Sequence, residues 1–151
     1  MKNIKKGEEL TSNYLYCRHH FYGASYRQKH LADIWHLNCH CNRCQDSTDF
    51  GTMSDAVRCR KCKGDKLMQI ETNPDSNWVC RTCYATQSAE EVGATLAFWW
   101  NIINQTSKYD IKLLLELYSN LQVVFNENHF YILEVKLRII ENIGETNGNF
   151  Y

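Results

Sequence analysis

Apolar positions are spaced differently in three stretches of the chain, and the last is the most regular. Beyond residue 88, Ile111, Leu114, Leu115, Tyr118 and Leu121 recur at steps of three and four, which gathers them on one face of a helix. Ile132, Val135, Ile139 and Ile143 repeat the pattern and predict another helix from about His129 to Ile143, with Gly144 suited to the left-handed position just past a helix end. A third opens at Ser88-Ala89-Glu90-Glu91: Ser88 can accept from the first free amides while Glu91 reaches back, a capping box for a helix running through Asn104. The connections are short, so neighbouring helices should pack antiparallel.

The first stretch, residues 1–38, is polar and aromatic. Tyr26, His30, Leu31, Ile34 and Trp35 fall at helix-compatible intervals, predicting about three turns over Ser25–Trp35, and Glu8-Glu9-Leu10-Thr11 reads as a short strand. Between these zones, residues 39–86 have no helical period. They are rich in turn formers, including Gly64, Asn73 and Pro74, and they hold seven of the eight cysteines. The expected class is α+β: a small metal-stabilised region followed by a helical C-terminal part.

With 151 residues the chain can hold one ordinary domain or two small ones. Its 17 basic and 17 acidic residues cancel, so no global field gathers nucleic acid or anionic membrane. No run approaches the length of apolar sequence a membrane span needs, and Met1-Lys2-Asn3-Ile4-Lys5-Lys6 is not followed by a leader-like apolar segment. A monomer in the cytoplasm or nucleus is expected. There, closely spaced cysteines read as metal ligands and not as a disulfide scaffold.

Cys59-Arg60-Lys61-Cys62 and Cys80-Arg81-Thr82-Cys83, with 17 residues between them, fit a tetrathiolate zinc site. Tetrahedral zinc needs thiolates held in close pairs, and two intervening residues allow a tight turn around the ion. Two such turns leave no open coordination position, so the site is structural. Zinc of this kind supplies roughly 10–16 kcal/mol of apparent folding free energy in finger peptides, and Trp78 is expected beside it. The triplet Cys39-His40-Cys41-Asn42-Arg43-Cys44 offers three thiolates and needs a fourth ligand. Cys17 is the remaining cysteine, with His19, His20, His36 and His40 as competitors.

Gly7-Glu8-Glu9-Leu10-Thr11-Ser12-Asn13-Tyr14 resembles the end of a SET methyltransferase domain, which is followed by a post-SET CxCxxC. Arg27-Gln28-Lys29-His30-Leu31, Trp35, and the run Cys44-Gln45-Asp46-Ser47-Thr48-Asp49-Phe50-Gly51-Thr52 look like the SMYD branch, in particular the arthropod-type SMYD-A proteins. In these a ribbon and a C-terminal helical domain follow, and Asn128-His129-Phe130-Tyr131 with Glu134-Val135-Lys136 resembles a helix start in that domain. The resemblance implies the end of a SET domain over 1–38, a post-SET segment over 39–52, a zinc ribbon over 53–86 and a helical-repeat-like C-terminal domain over 88–151. It also implies that Cys39, Cys41 and Cys44 share one zinc ion and Cys59, Cys62, Cys80 and Cys83 another.

The complete family methylates protein lysines with S-adenosylmethionine. Tyr14 matches the active-site tyrosine of that reaction, where a phenol can orient the amine; its alternative is a packing aromatic. The family's MYND finger, most of its SET core and the NHxC motif that completes the post-SET zinc site lie upstream of the matched segment, and Leu37 stands where the family often has an aromatic beside the cofactor. The expectation is an inactive C-terminal part of a SMYD-like protein, its partner a protein or a protein-lysine substrate. The competing expectation is a noncatalytic zinc-binding interaction module, with Phe98-Trp99-Trp100 either presented to a partner or packed on the ribbon or the next helix. Nucleic-acid binding would rest on Arg58, Arg60, Lys61, Lys63, Lys66 and Arg81, but charges at zinc turns are usually solvated, and no stacking motif accompanies them.

Overall fold

The computed structural model describes residues 3–8, 12–15, 20–70 and 75–146. Glu9, Leu10 and Thr11 of the expected first strand lie outside these residues, as do Cys17, His19, Asn73 and Pro74.

Helix α1 spans Ala24–Trp35, one residue earlier than the periodicity predicts. Gly23, its N-cap, has no side chain with which to cap, and the role passes to a distant residue: the Ser25 amide donates to Asp55 Oδ2 at 3.2 Å. At the other end His36 turns left-handed, φ 51°, so that the His36 and Leu37 amides return to the Ala32 and Leu31 carbonyls at 3.1 Å each. A single turn, α2 (Asn42–Gln45), carries the end of the cysteine triplet.

Three short antiparallel strands follow, β1 (Leu67–Gln69), β2 (Trp78–Cys80) and β3 (Thr86–Gln87), with β2 central. The register pairs Leu67 with Cys80 and Gln69 with Trp78, then Trp78 with Gln87. Cys80 and Trp78 thereby share one face of β2, and both are buried. Trp78 is thus itself a strand residue of the ribbon, and it also lines the space beside α1.

Helix α3 (Ala89–Gln105) begins with the complete Ser88/Glu91 capping box. Helix α4 (Ile111–Val124) is capped by Asp110, which accepts from the Leu113 amide at 3.1 Å. Helix α5 (Phe130–Thr146) packs against α4 and α3. Two details differ from the sequence reading. The inner stripe of α4 is Leu114, Leu117 and Leu121, while Leu115 is half exposed; Leu115 lies four from Ile111 and Leu117 three from Leu114, so the period admits both, and the core takes Leu117. Gly144 lies within α5 and adopts no left-handed conformation, because a glycine inside a helix costs only about 1 kcal/mol relative to alanine.

The tryptophans of α3 pack inward. Trp100 stacks on Tyr131 at 5.4 Å and Trp99 sits edge-on to Phe125 at 6.5 Å, while Phe98 stays 60% exposed. One core runs through all three zones, joining Tyr22 to Val57, Cys59, Leu67 and Trp78 and on to Val92, Leu121, Ile132 and Val135. The junction between ribbon and helices is backbone: the Arg58 amide donates to the Val124 carbonyl at 2.8 Å, Asn126 to Ala56 at 3.1 Å and Phe130 to Ser54 at 3.0 Å. Among the described residues no helix is long and apolar enough to cross a membrane.

Candidate metal centres and the adjoining groove

Two turns of like construction hold the four ribbon cysteines. In the first, the Lys63 amide donates to the Cys59 carbonyl (2.9 Å) and Cys59 to Gly64 (2.7 Å); in the second, Tyr84 donates to Cys80 (2.9 Å) and Cys80 to Ala85 (2.9 Å). The residue after the second cysteine is left-handed in both, φ 62° at Lys63 and 58° at Tyr84. This closes each turn and points its two sulfurs at one place.

The Sγ atoms of all four cysteines lie within 4.8 Å of one another. Cys59 is 3.7 Å from Cys83 and Cys62 is 3.6 Å from Cys80. A tetrahedron with zinc–sulfur bonds of about 2.3 Å has sulfur–sulfur edges of about 3.8 Å, so the cluster could hold zinc with little movement. Backbone amides help prepare the thiolates: Gly64 donates to Cys62 Sγ and Thr82 to Cys80 Sγ, each at 3.4 Å. Burial pushes the Cys80 thiol up, but the amides of Cys83 and Thr82 and the neighbouring thiols outweigh it and bring it down to about 6. It is therefore poised to be an anionic donor.

Cys39, Cys41 and Cys44 also converge within 4.8 Å. None of His20, His36 and His40 joins them, and the other candidate donors, Cys17 and His19, fall outside the described residues. Burial raises the Cys44 thiol to about 11, with the Arg27 guanidinium pulling against it.

A network that sequence reading missed supports this triplet. Arg27, 1% exposed, pairs with Asp49 at 2.8 Å, and Arg43, inside the CxxC, reaches the same carboxylate at 2.7 and 2.9 Å. Ser54 adds a hydroxyl at 2.7 Å. Arg27 also donates to the Tyr22 carbonyl, and Gln28 donates to the Cys44 carbonyl at 2.9 Å. Burial pushes the Asp49 carboxyl up, and hydrogen bonds from Arg43, Arg27 and Ser54 overcome it to hold the group at about 2. Residue types alone gave no signal for Asp49, since the turn that delivers it is made by left-handed backbone at Asp49 and Phe50.

An open groove of about 910 Å³ lies between α1 and α3, with Cys39 and His40 among its lining residues. Ser25, Gln28, Lys29 and Ala32 form the α1 wall, Gly93 and Leu96 the α3 wall, and Trp78, Phe130 and Tyr131 also line it. Tyr14 does not line it; its ring is 5.3 Å from that of Trp35, and the residue is half exposed.

Two curated sequences align along this arrangement. The SET domain-containing protein SmydA-8 of Drosophila melanogaster is 28% identical in isoform A and 27% in isoform B, each over 144 residues and 92% of this chain. This chain resembles a SMYD-type SET-domain protein. The SMYD-like chain spans about a third of the length of the curated relatives it matches, 30% and 31% respectively. No protein-family model matches it. Within the SMYD-like chain, then, the structure brings the two cysteine groups together as clusters and leaves the candidate tyrosine outside the groove.

Proposed function

We propose that this chain supplies the end of a SET domain (1–38), a post-SET segment (39–52), a zinc ribbon (53–86) and a helical-repeat-like C-terminal domain (88–151), and that together they form a protein-binding cleft. The groove between α1 and α3 carries this reading, because it sets Cys39 of the triplet, aromatic residues and two helix faces around a space large enough for a peptide segment. Zinc would be held by Cys59, Cys62, Cys80 and Cys83, and a second ion by Cys39, Cys41 and Cys44 with a fourth donor. Its chemistry in both places is structural: it fixes turns and activates nothing.

In a complete SMYD-like protein the cleft would admit a protein lysine to be methylated by S-adenosylmethionine, with Tyr14 in the lysine channel. In this chain alone Tyr14 packs on Trp35 at a half-exposed position, which supports an inactive part. Calorimetry of the zinc-loaded chain with S-adenosylmethionine should give no binding heat; tight binding would sink the proposal of inactivity. The cleft itself is tested by Gly93→Arg, since a side chain added there meets nothing within 4 Å. That variant should fold normally and lose binding of a synthetic lysine-containing peptide.

The second reading, a noncatalytic zinc-binding interaction module, is favoured by the apolar surface left on the helices, with Phe98 60% and Val123 74% exposed. Retained partner binding in Gly93→Arg would support it over the first.

A further inference from the structure

A second groove, of about 260 Å³, lies on another side of the molecule, between the first ribbon turn and helices α3 and α4. Its floor is apolar, with Val57 and Val92 buried and Trp99 partly so. Its outer wall is Val123, which is 74% exposed despite standing on the last turn of α4. Three cations, Arg58, Arg60 and Lys63, line it, and no acidic residue does.

Part of that charge is held in place. Arg58 Nε donates to the Gln122 carbonyl at 2.9 Å, and Arg60 reaches across to Thr95 Oγ1 on α3 at 3.5 Å. A loaded tetrathiolate zinc would carry two net negative charges. The three lining cations, Arg58, Arg60 and Lys63, outnumber these two, so the groove lining keeps a positive balance with the metal bound. A charged face usually means solvation; a charged rim around an apolar floor selects a ligand that is acidic and apolar at once.

We propose that this groove docks an acidic segment of a partner protein, one large apolar side chain seated over Val92 and Trp99 and flanking carboxylates on Arg58, Arg60 and Lys63. Nucleic acid fits less well, because the Trp99 ring is committed edge-on to Phe125 and the space holds one or two side chains, not a row of stacked bases. The proposal holds whether or not the larger groove admits a lysine substrate.

The test uses the zinc-loaded full chain and a dye-labelled, end-blocked nonapeptide of aspartates and glutamates around a central leucine-phenylalanine pair, read by fluorescence anisotropy. Saturable binding is expected, weakened about ten-fold or more by Arg60→Glu and by Val123→Glu and falling with added salt. Both positions are exposed, so the variants should fold, with zinc content and circular dichroism as checks and Thr95→Glu as the substitute if either fails. Lys112→Glu, on the exposed side of α4, should leave binding unchanged, and a peptide with lysines for its acids should not bind. The proposal is overturned by absent or non-saturable binding, by equal affinity in the groove variants, by an equal loss in Lys112→Glu, or by an oligothymidylate that binds more tightly and displaces the peptide.

Discussion

Val57 and Phe125 pair as an antiparallel bridge, and Val57 pairs again with Leu67 of β1. The Arg58 amide donates to the Val124 carbonyl and the Asn126 amide to the Ala56 carbonyl, so the exit of α4 is tied to the edge of the ribbon two positions from Cys59. Phe125 is fully buried and in ring contact with Trp99, His129 and Tyr131. The first cysteine turn, the strand edge and the helix packing meet at this bridge.

Removing the metal should therefore unfold more than the ribbon. Chelation, or Cys80→Ser, is expected to lower the far-ultraviolet helical signal and the tryptophan environment in a single transition, since structural zinc contributes on the order of 10 kcal/mol to modules of this kind. A helical signal unchanged by chelator, with only local change at the ribbon, would show that α3, α4 and α5 stand independently.

At Gly23 the constraint is space and not backbone angle, for its φ is an ordinary −63°. A Cβ built there would lie within 2.3 Å of both Asp55 carboxylate oxygens, and that carboxylate caps α1 through the Ser25 amide. Gly23→Ala should cost about 2 kcal/mol or more, from overpacking plus the lost cap. In a double-mutant cycle with Asp55→Ala the two losses should be strongly non-additive, because removing the carboxylate removes the clash. Additive losses in urea unfolding would contradict the contact.

The helices were legible because their period is repeated over many residues and the Ser88/Glu91 cap of α3 acts within one turn; the Asp110 cap of α4, equally local, was not read. The ribbon cluster was legible because chemistry fixes cysteine spacing. What could not be read was every feature made by distant residues meeting. Asp55 caps a helix thirty positions earlier in the chain, Asp49 gathers two arginines through a left-handed turn, and Phe125 enters the ribbon edge. Leu115 and Leu117 could not be separated by period alone, because each lies a helical step from other residues of the stripe and only tertiary packing decides between them.

Asp49 gives a pH-dependent prediction whose sign follows from its lowered value. The carboxyl titrates at about 2 in the fold against 3.8 unperturbed, so its ionised form favours the folded state. That contribution is full above pH 4, about 2 kcal/mol, and is lost as pH falls through about 2. Asp49→Asn should destabilise the protein by roughly 3–5 kcal/mol at neutral pH, because Arg27 would stay buried without its partner. The gap between variant and wild type should narrow in acid, and a gap independent of pH down to about 2 would reject the linkage. The ribbon ion, released as its thiolates protonate, is common to both proteins and cancels in the difference.

Zinc stoichiometry separates the two cysteine clusters. The ribbon has four converging sulfurs and the triplet three among the described residues, so one tightly held ion per chain is expected, with a second bound more weakly or not at all. Cys59→Ser should abolish the tight ion, because it removes a donor from a closed tetrahedron. Cys39→Ser should leave that ion in place. Two tight equivalents would mean that the triplet finds a fourth donor within this chain, and Cys17→Ser would then decide whether Cys17 supplies it: the second ion should be lost if it does and kept if a histidine serves instead. Because the Arg27–Asp49–Arg43 network fixes the triplet through the Cys44 turn, Asp49→Asn should weaken any second ion while sparing the first. Equal loss of both ions in that variant would indicate global unfolding and remove the network from the metal site.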